Sequence, residues 1–349
     1  MTKKRRKNKK STLASALFLI AVIVSVVLIC ISVGDKGEVS ADVSNALTSE
    51  TSETSPEQSA ADISEADEST ESTESEISTE PPFEPYVIDQ GLYSAEAVVY
   101  DRATDTVIAA KDAYTRMAPA SLTKIATAIT VIEMCDDLDE KLTCTQDTVN
   151  VTYLAGASVV GFKGGEKATV MDMLYGVMLP SGADAAITLA IRFGGSETGF
   201  AEIINQKMDK IGLTDTHFCN VTGLDEDGHY STAADMAILL DYCLDNETFR
   251  RLCTTKYYTL QTCSKHEGGI EVTNTAYTAF TKAGLLSSYF KGGKTGTTDA
   301  AGRCLAGLCV IDDREYVTVT LGAGGDAADG YIACDFIYLS ETVIPQINY

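Results

Sequence analysis

The sequence predicts an α/β fold, a mainly antiparallel sheet flanked by helices with an all-helical subdomain, and three observations carry that expectation. "AEAVVYDRATDTVIAAKD" (Ala95 to Asp112) alternates around a polar turn as a two-stranded hairpin does. The middle of the chain is a succession of apolar, helix-patterned runs. Towards the end, "KGGKTG", "RCLAGLCVI" and "REYVTVTLGA" read as three consecutive strands, closed by a helix in "AADGYIACDFIYLSETVI".

The helical block can be read in order. "SLTKIATAITVIEMC" is apolar on nearly every side, so it predicts a buried helix. "TVMDMLYGVMLPSGADAAITLAIRFG" holds two helical stretches, broken at Leu179-Pro180-Ser181-Gly182 because proline and glycine cannot continue the first. "GFAEIINQKMDKIG" is amphipathic, with Gly212 as its stop. "YSTAADMAILLDYCLD" opens on a Ser231/Thr232 cap, with Asp235 placed to stabilise the first turn.

The 349-residue chain carries a formal net charge of −23, which excludes the basic surface that nucleic-acid binding needs. Its basic residues cluster early: "TKKRRKNKK" holds seven. Leu13 to Val33 follow without a charge, enough helix to cross a bilayer core of about 30 Å. Residues 1–12 are therefore expected to be a cytoplasmic basic tail and residues 13–33 an uncleaved transmembrane anchor, with the remainder outside the cell. Residues 34–85 are rich in Ser, Thr and Glu and poor in large apolar side chains, the composition of a disordered acidic linker. Residues 86–349 form the expected folded domain. Nine cysteines lie beyond Cys30; the external location permits disulfides, while burial as small hydrophobes explains them equally well.

"APASLTKIATAI" places Ser121 and Lys124 three residues apart, on one helix face if both are helical. A serine hydroxyl needs a base, and lysine is one only when neutral. At its ordinary pKa of about 10.4, less than about 0.1% is neutral at pH 7, so the site requires burial or a nearby cation to lower it. Two further groups follow in the chain: "LPSGADAA" with Ser181 on a helix-breaking loop, and "KGGKTGTTDAAGRCLAG" with Lys294, Thr295 and Gly296 on a glycine-flanked strand.

With "RMAPASLTKIATAI" and "HFCNVTGLDEDGHYSTAADMA", these segments resemble the low-molecular-weight penicillin-binding proteins, the serine-type D-Ala-D-Ala carboxypeptidases, from Tyr86 to the C-terminus. The resemblance implies the transpeptidase-like fold that those enzymes share with β-lactamases, and removal of the terminal D-alanine from peptidoglycan pentapeptides. It implies that Ser121 forms the acyl-enzyme, that Lys124 is its base and that Ser181 relays a proton to the leaving group. Lys294 would supply charge that also lowers Lys124, Thr295 would hold the terminal carboxylate, and Gly296 would admit the peptide to the strand edge. The backbone N–H groups of Ser121 and Thr297 would form an oxyanion hole. β-Lactam antibiotics would acylate the same serine, and no cofactor is implied.

Ala183 departs from the family pattern, which has asparagine there. That substitution leaves open a poorly catalytic scaffold that binds wall peptides. A β-lactamase reading lacks the ExxLN loop between Ser181 and Lys294. A zinc peptidase lacks HExxH, and His217, His229 and His266 give no ligand set; packing and loop fixing suit the first two better. Arg303 faces either the cleft or solvent.

Overall fold

The computed structural model describes residues 84–324 and 330–347. The basic tail, the apolar segment 13–33 and all but the last two residues of the linker lie outside them. Among the described residues no helix is long and apolar enough to cross a membrane.

The chain opens with β1 (Tyr86–Val87), β2 (Glu96–Asp101) and β3 (Thr106–Lys111). A 3₁₀ turn, Ala120–Leu122, leads into α1 (Thr123–Met134). Next come β4 (Lys141–Cys144), α2 (Gln146–Leu154), β5 (Glu166–Thr169), α3 (Val170–Met178) and α4 (Ala183–Gly194). After α5 (Glu197–Ile211), α6 (Ala233–Leu244) and α7 (Glu247–Thr254), a small hairpin forms from β6 (Tyr257–Leu260) and β7 (Ile270–Thr273). Then follow α8 (Thr275–Ala283), β8 (Phe290–Thr298), β9 (Gly302–Ile311), β10 (Arg314–Ala323) and α9 (Gly330–Tyr338).

Six strands make the main sheet in the order β1-β3-β2-β10-β9-β8. All its pairs are antiparallel except β1 with β3. The expected hairpin is β2–β3, and the three expected strands are β8 to β10. Side chains alternate between two cores, as the period of a strand requires. From β2, Val98 and Tyr100 enter the core shared with the helical block. Ala97 and Val99 enter the other, with Phe280 of α8 and Phe336 of α9. With both faces covered, the central strands read as continuous apolar runs.

The expected helix break is real: α3 ends at Met178 and α4 begins at Ala183. Gly212 ends α5 with φ +93°. Thr232, not Ser231, caps α6 by accepting the Asp235 N–H, while Ser231 bridges to Met117 in an isolated antiparallel pair. Asp235 also acts beyond its helix turn, accepting from Asp215 N and Thr216 Oγ1. All nine described cysteines are free thiols, six of them buried. The topology places β8, which carries Lys294 to Thr297, at the edge of the sheet.

Candidate active site

Ser121 sits on the 3₁₀ turn rather than on the helix proper. The turn is wedged from two sides. Gly223 comes so close that a Cβ there would lie 1.9 Å from the Ala120 carbonyl oxygen. A Cβ at Gly296 would lie 2.9 Å from Ser121 N and 2.9 Å from Ala120 Cβ. Gly296 is thus required by the serine's own turn, a reason the sequence did not reveal. Ala120 adopts φ +49° and Ser181 φ +65°, conformations that L-residues with a Cβ adopt at a cost of roughly 1–3 kcal/mol each.

Lys124, in the first turn of α1, is 2% exposed. Its Nζ lies 3.0 Å from Ser121 Oγ and also donates to the Thr222 carbonyl. That carbonyl is held by the loop's own bonds: Asn220 Oδ1 accepts from Thr222 N at 3.2 Å and Gly223 N at 2.8 Å. Lys294 is also buried, and its Nζ donates to Ser181 Oγ at 2.8 Å and to the Thr295 carbonyl at 2.8 Å. Ser121, Ser181, Thr295, Gly296 and Thr297 all line one cleft, with Ser158, Thr275, Lys282 and Arg303 further around its wall. Thr295 Oγ1 bonds Thr275 Oγ1 at 2.6 Å. Arg303 faces this cleft, paired across the strands with Thr297, and its Nε is buried without a hydrogen-bond partner among the described residues.

Burial lowers the Lys124 amine to about 7, against the opposing pull of the Asp184 and Glu197 carboxylates. Burial pushes Lys294 well below its ordinary value, and the Lys124 charge pushes it further. The expectation that Lys294 lowers Lys124 is therefore replaced: desolvation lowers both, and their repulsion disfavours two charges in the site. Burial also lowers His229 to about 4, leaving it neutral. Its Nδ1 accepts from Cys219 N at 3.1 Å, which puts the ring proton on Nε2, 2.8 Å from Thr123 Oγ1. His229 thereby ties the 219–230 segment to α1, a loop-fixing role.

The structure thus brings together every residue expected at the site: Ser121, Lys124, Ser181, Lys294, Thr295, Gly296 and Thr297. It adds Thr222 and Gly223, Asp184, Glu197 and Thr275, which the sequence reading passed over. Thr222 and Gly223 lie inside "HFCNVTGLDEDGHYSTAADMA" and Asp184 inside "LPSGADAA", whereas Glu197 and Thr275 lie in no distinctive stretch. Ala183 is fully buried as the first residue of α4.

A half-buried serine bonded to a buried lysine on the helical side, a second serine on a loop and a lysine on an edge strand define the serine active site of penicillin-recognising peptidases. The chain belongs to the D-alanyl-D-alanine carboxypeptidase family, whose profile matches residues 85–325. It is 34% identical over 209 residues to the D-alanyl-D-alanine carboxypeptidase DacF of Bacillus subtilis, covering 56% of this chain and 54% of that protein. It is also 34% identical over 214 residues to a D-alanyl-D-alanine carboxypeptidase of Streptomyces sp. strain K15, covering 59% of this chain and 72% of that one. The crystal structure of the Streptomyces K15 DD-transpeptidase superposes with a TM-score of 0.62 at 29% identity, over 71% of this chain and 95% of that one.

Proposed function

We propose that this protein is a serine D-Ala-D-Ala carboxypeptidase that removes the terminal D-alanine from peptidoglycan stem peptides through an acyl-enzyme on Ser121. One observation carries the reading: a buried amine with a pKa of about 7 lies 3.0 Å from a serine hydroxyl in the wall of a cleft. Neutral Lys124 takes the Ser121 proton as Oγ attacks the penultimate D-alanine carbonyl. The oxyanion forms within reach of the backbone N–H groups of Ser121 and Thr297. As the C–N bond breaks, the proton passes through the Ser181 hydroxyl to the departing amine. Water, with Lys124 again accepting a proton, then releases the acyl group. The edge of β8 receives the peptide in extended form. The terminal carboxylate is held by Thr295 and Thr297, with Lys294 and the Arg303 guanidinium providing positive charge. Its arrival restores the Lys294 charge that burial suppresses.

β-Lactams, which present a carbonyl and a carboxylate in the same relation, act as acylating inhibitors. The uncharged run 13–33 behind a basic tail supports attachment to the cell membrane by a single N-terminal span, with the domain outside. The test is D-alanine release from diacetyl-L-Lys-D-Ala-D-Ala together with labelling by a fluorescent penicillin. The expected result is turnover and one adduct on Ser121, both abolished in Ser121→Ala. An unlabelled wild-type protein would favour a wall-binding scaffold, the reading that Ala183 left open.

A further inference from the structure

The loop between α2 and β5 brings Ser158 to the cleft wall, in company with Ser121 and Ser181. Ser158 is exposed, and its hydroxyl makes no hydrogen bond to the described residues. Its backbone is nevertheless fixed. The Ser158 carbonyl accepts the Ala183 N–H at 2.8 Å. The buried Asp184 carboxylate accepts from Val160 N at 2.8 Å, Gly161 N at 3.0 Å and Phe162 N at 3.2 Å. Val160 is seated so tightly that a Cβ on either Gly176 or Gly182 would come within 2.5 Å of its Cγ2. A free hydroxyl on a backbone this constrained loses little freedom when it binds something, which is the condition for an effective binding group. Beside it Ser181, on the same wall, is engaged by Lys294, and the buried Ala183 offers no polar side chain.

We propose that Ser158 is a substrate-binding residue, its hydroxyl hydrogen-bonding a peptide group of the bound acyl donor, and that Asp184 is the positioning residue that holds it there. The inference rests on the carboxypeptidase reading. It adds a binding group on the helical side of the cleft, whereas the other expected carboxylate and peptide contacts lie on the sheet.

The test compares full-length wild-type protein with Ser158→Ala, Ser158→Thr, Asp184→Asn and the Ser158→Ala/Asp184→Asn pair. The readouts are kcat/KM for D-alanine release from diacetyl-L-Lys-D-Ala-D-Ala, the rate of acylation by benzylpenicillin, and Tm. Ser158→Ala should lower kcat/KM about tenfold, the loss of one hydrogen bond, with Tm within about 1 °C of wild type. Ser158→Thr, which keeps the hydroxyl, should recover most of that loss. Compared on the pH plateau, where Lys124 is neutral in every variant, the double variant should be no worse than the more affected single variant, because both changes then remove the same contact. Wild-type kcat/KM in Ser158→Ala would overturn the inference. So would equal losses in Ser158→Ala and Ser158→Thr accompanied by a lower Tm, which would mark mere loop packing. A wild type that neither releases D-alanine nor reacts with benzylpenicillin would overturn the carboxypeptidase reading itself, and this inference with it.

Discussion

Lys124 shows why a cation belongs at the mouth of an apolar helix. Its descent from 10.5 to about 7 corresponds to roughly 5 kcal/mol of disfavoured charge, enough to make it half neutral near pH 7. The working form is the neutral amine. The kcat/KM for the peptide should therefore climb as pH rises through about 7 and level off above it. Asp184 and Glu197 favour the protonated form, so removing a carboxylate moves that midpoint down. A pH–rate profile of Asp184→Asn should show its rising limb at lower pH than wild type, a change that loosened packing alone would not produce. The nucleophile, base, second serine and strand lysine were legible in the sequence because the chemistry demands those residue types, each inside a distinctive local stretch. Asp184 was not: nothing near it announces that its partners are backbone N–H groups 22 to 24 positions away.

At the scale of elements, legibility followed apolar patterning. α1, α3, α4, α5 and α6 bury broad faces and were readable, as were the long strands β9 and β10. α7 and α8 were not. Each has a stripe of only three buried side chains, Phe249, Leu252 and Cys253 in α7 and Ala276, Ala279 and Phe280 in α8, set among polar residues and started by the side-chain caps of Asn246 and Asn274. β4 and β5, four residues each, are too short for their alternation to stand out. The junction of β8 with the serine's turn yields a sharper test. A methyl group at Gly296 meets backbone on the far side, with Pro119 O at 3.0 Å in addition to Ser121 N, so relief requires moving the turn. Gly296→Ala should cost about 1–3 kcal/mol of stability by overpacking and reduce acylation by benzylpenicillin at least about 100-fold. Thermal melting and stopped-flow labelling measure the two effects separately.

For the molecule as a whole, the sheet is a partition between two cores, and among the buried charge-bearing residues on its strands Asp101 is paired with Arg314 and Lys294 is bonded to Ser181, whereas Glu96 lacks such a side-chain partner. Glu96 on β2 is 1% exposed, and among the described residues no side chain pairs with its carboxylate and the backbone N–H of Ala233 approaches it without completing a well-formed hydrogen bond. Burial raises its pKa from 4.5 to about 7, with the Asp112 charge adding to the rise and the Ala233 N–H opposing it. A raised carboxyl favours folding while protonated. Its contribution is present in full below pH 4.5 and is lost as pH rises through about 7, a change of roughly 3 kcal/mol. Glu96→Gln should abolish that increment. The stability difference between variant and wild type, followed by urea denaturation, should shift in favour of the variant by roughly 2–3 kcal/mol between pH 4.5 and pH 8. The hairpin and the three-strand run of the sheet were accessible from hydrophobic runs and turns, whereas the pairing of β2 with β10 that joins them, and with it the strand order, was not, because it links segments more than 200 residues apart. The charge hidden inside the sheet was not accessible either, because "AEAVVYD" gives no sign of which alternate positions face a covered layer. Just before β2, Tyr93 N at 2.8 Å and Ser94 N at 2.9 Å donate to Asp335 of α9, binding the start of the domain to that helix.

The wedging of Ala120–Leu122 between Gly223 and Gly296 has a consequence for how such a protein escapes a drug. Sliding the serine away from an incoming antibiotic would mean displacing a loop, a helix start and a strand together. Tolerance to covalent inhibitors should therefore arise through replacements around the rim, where single side chains tune recognition, while the segment bearing the reactive oxygen stays unchanged.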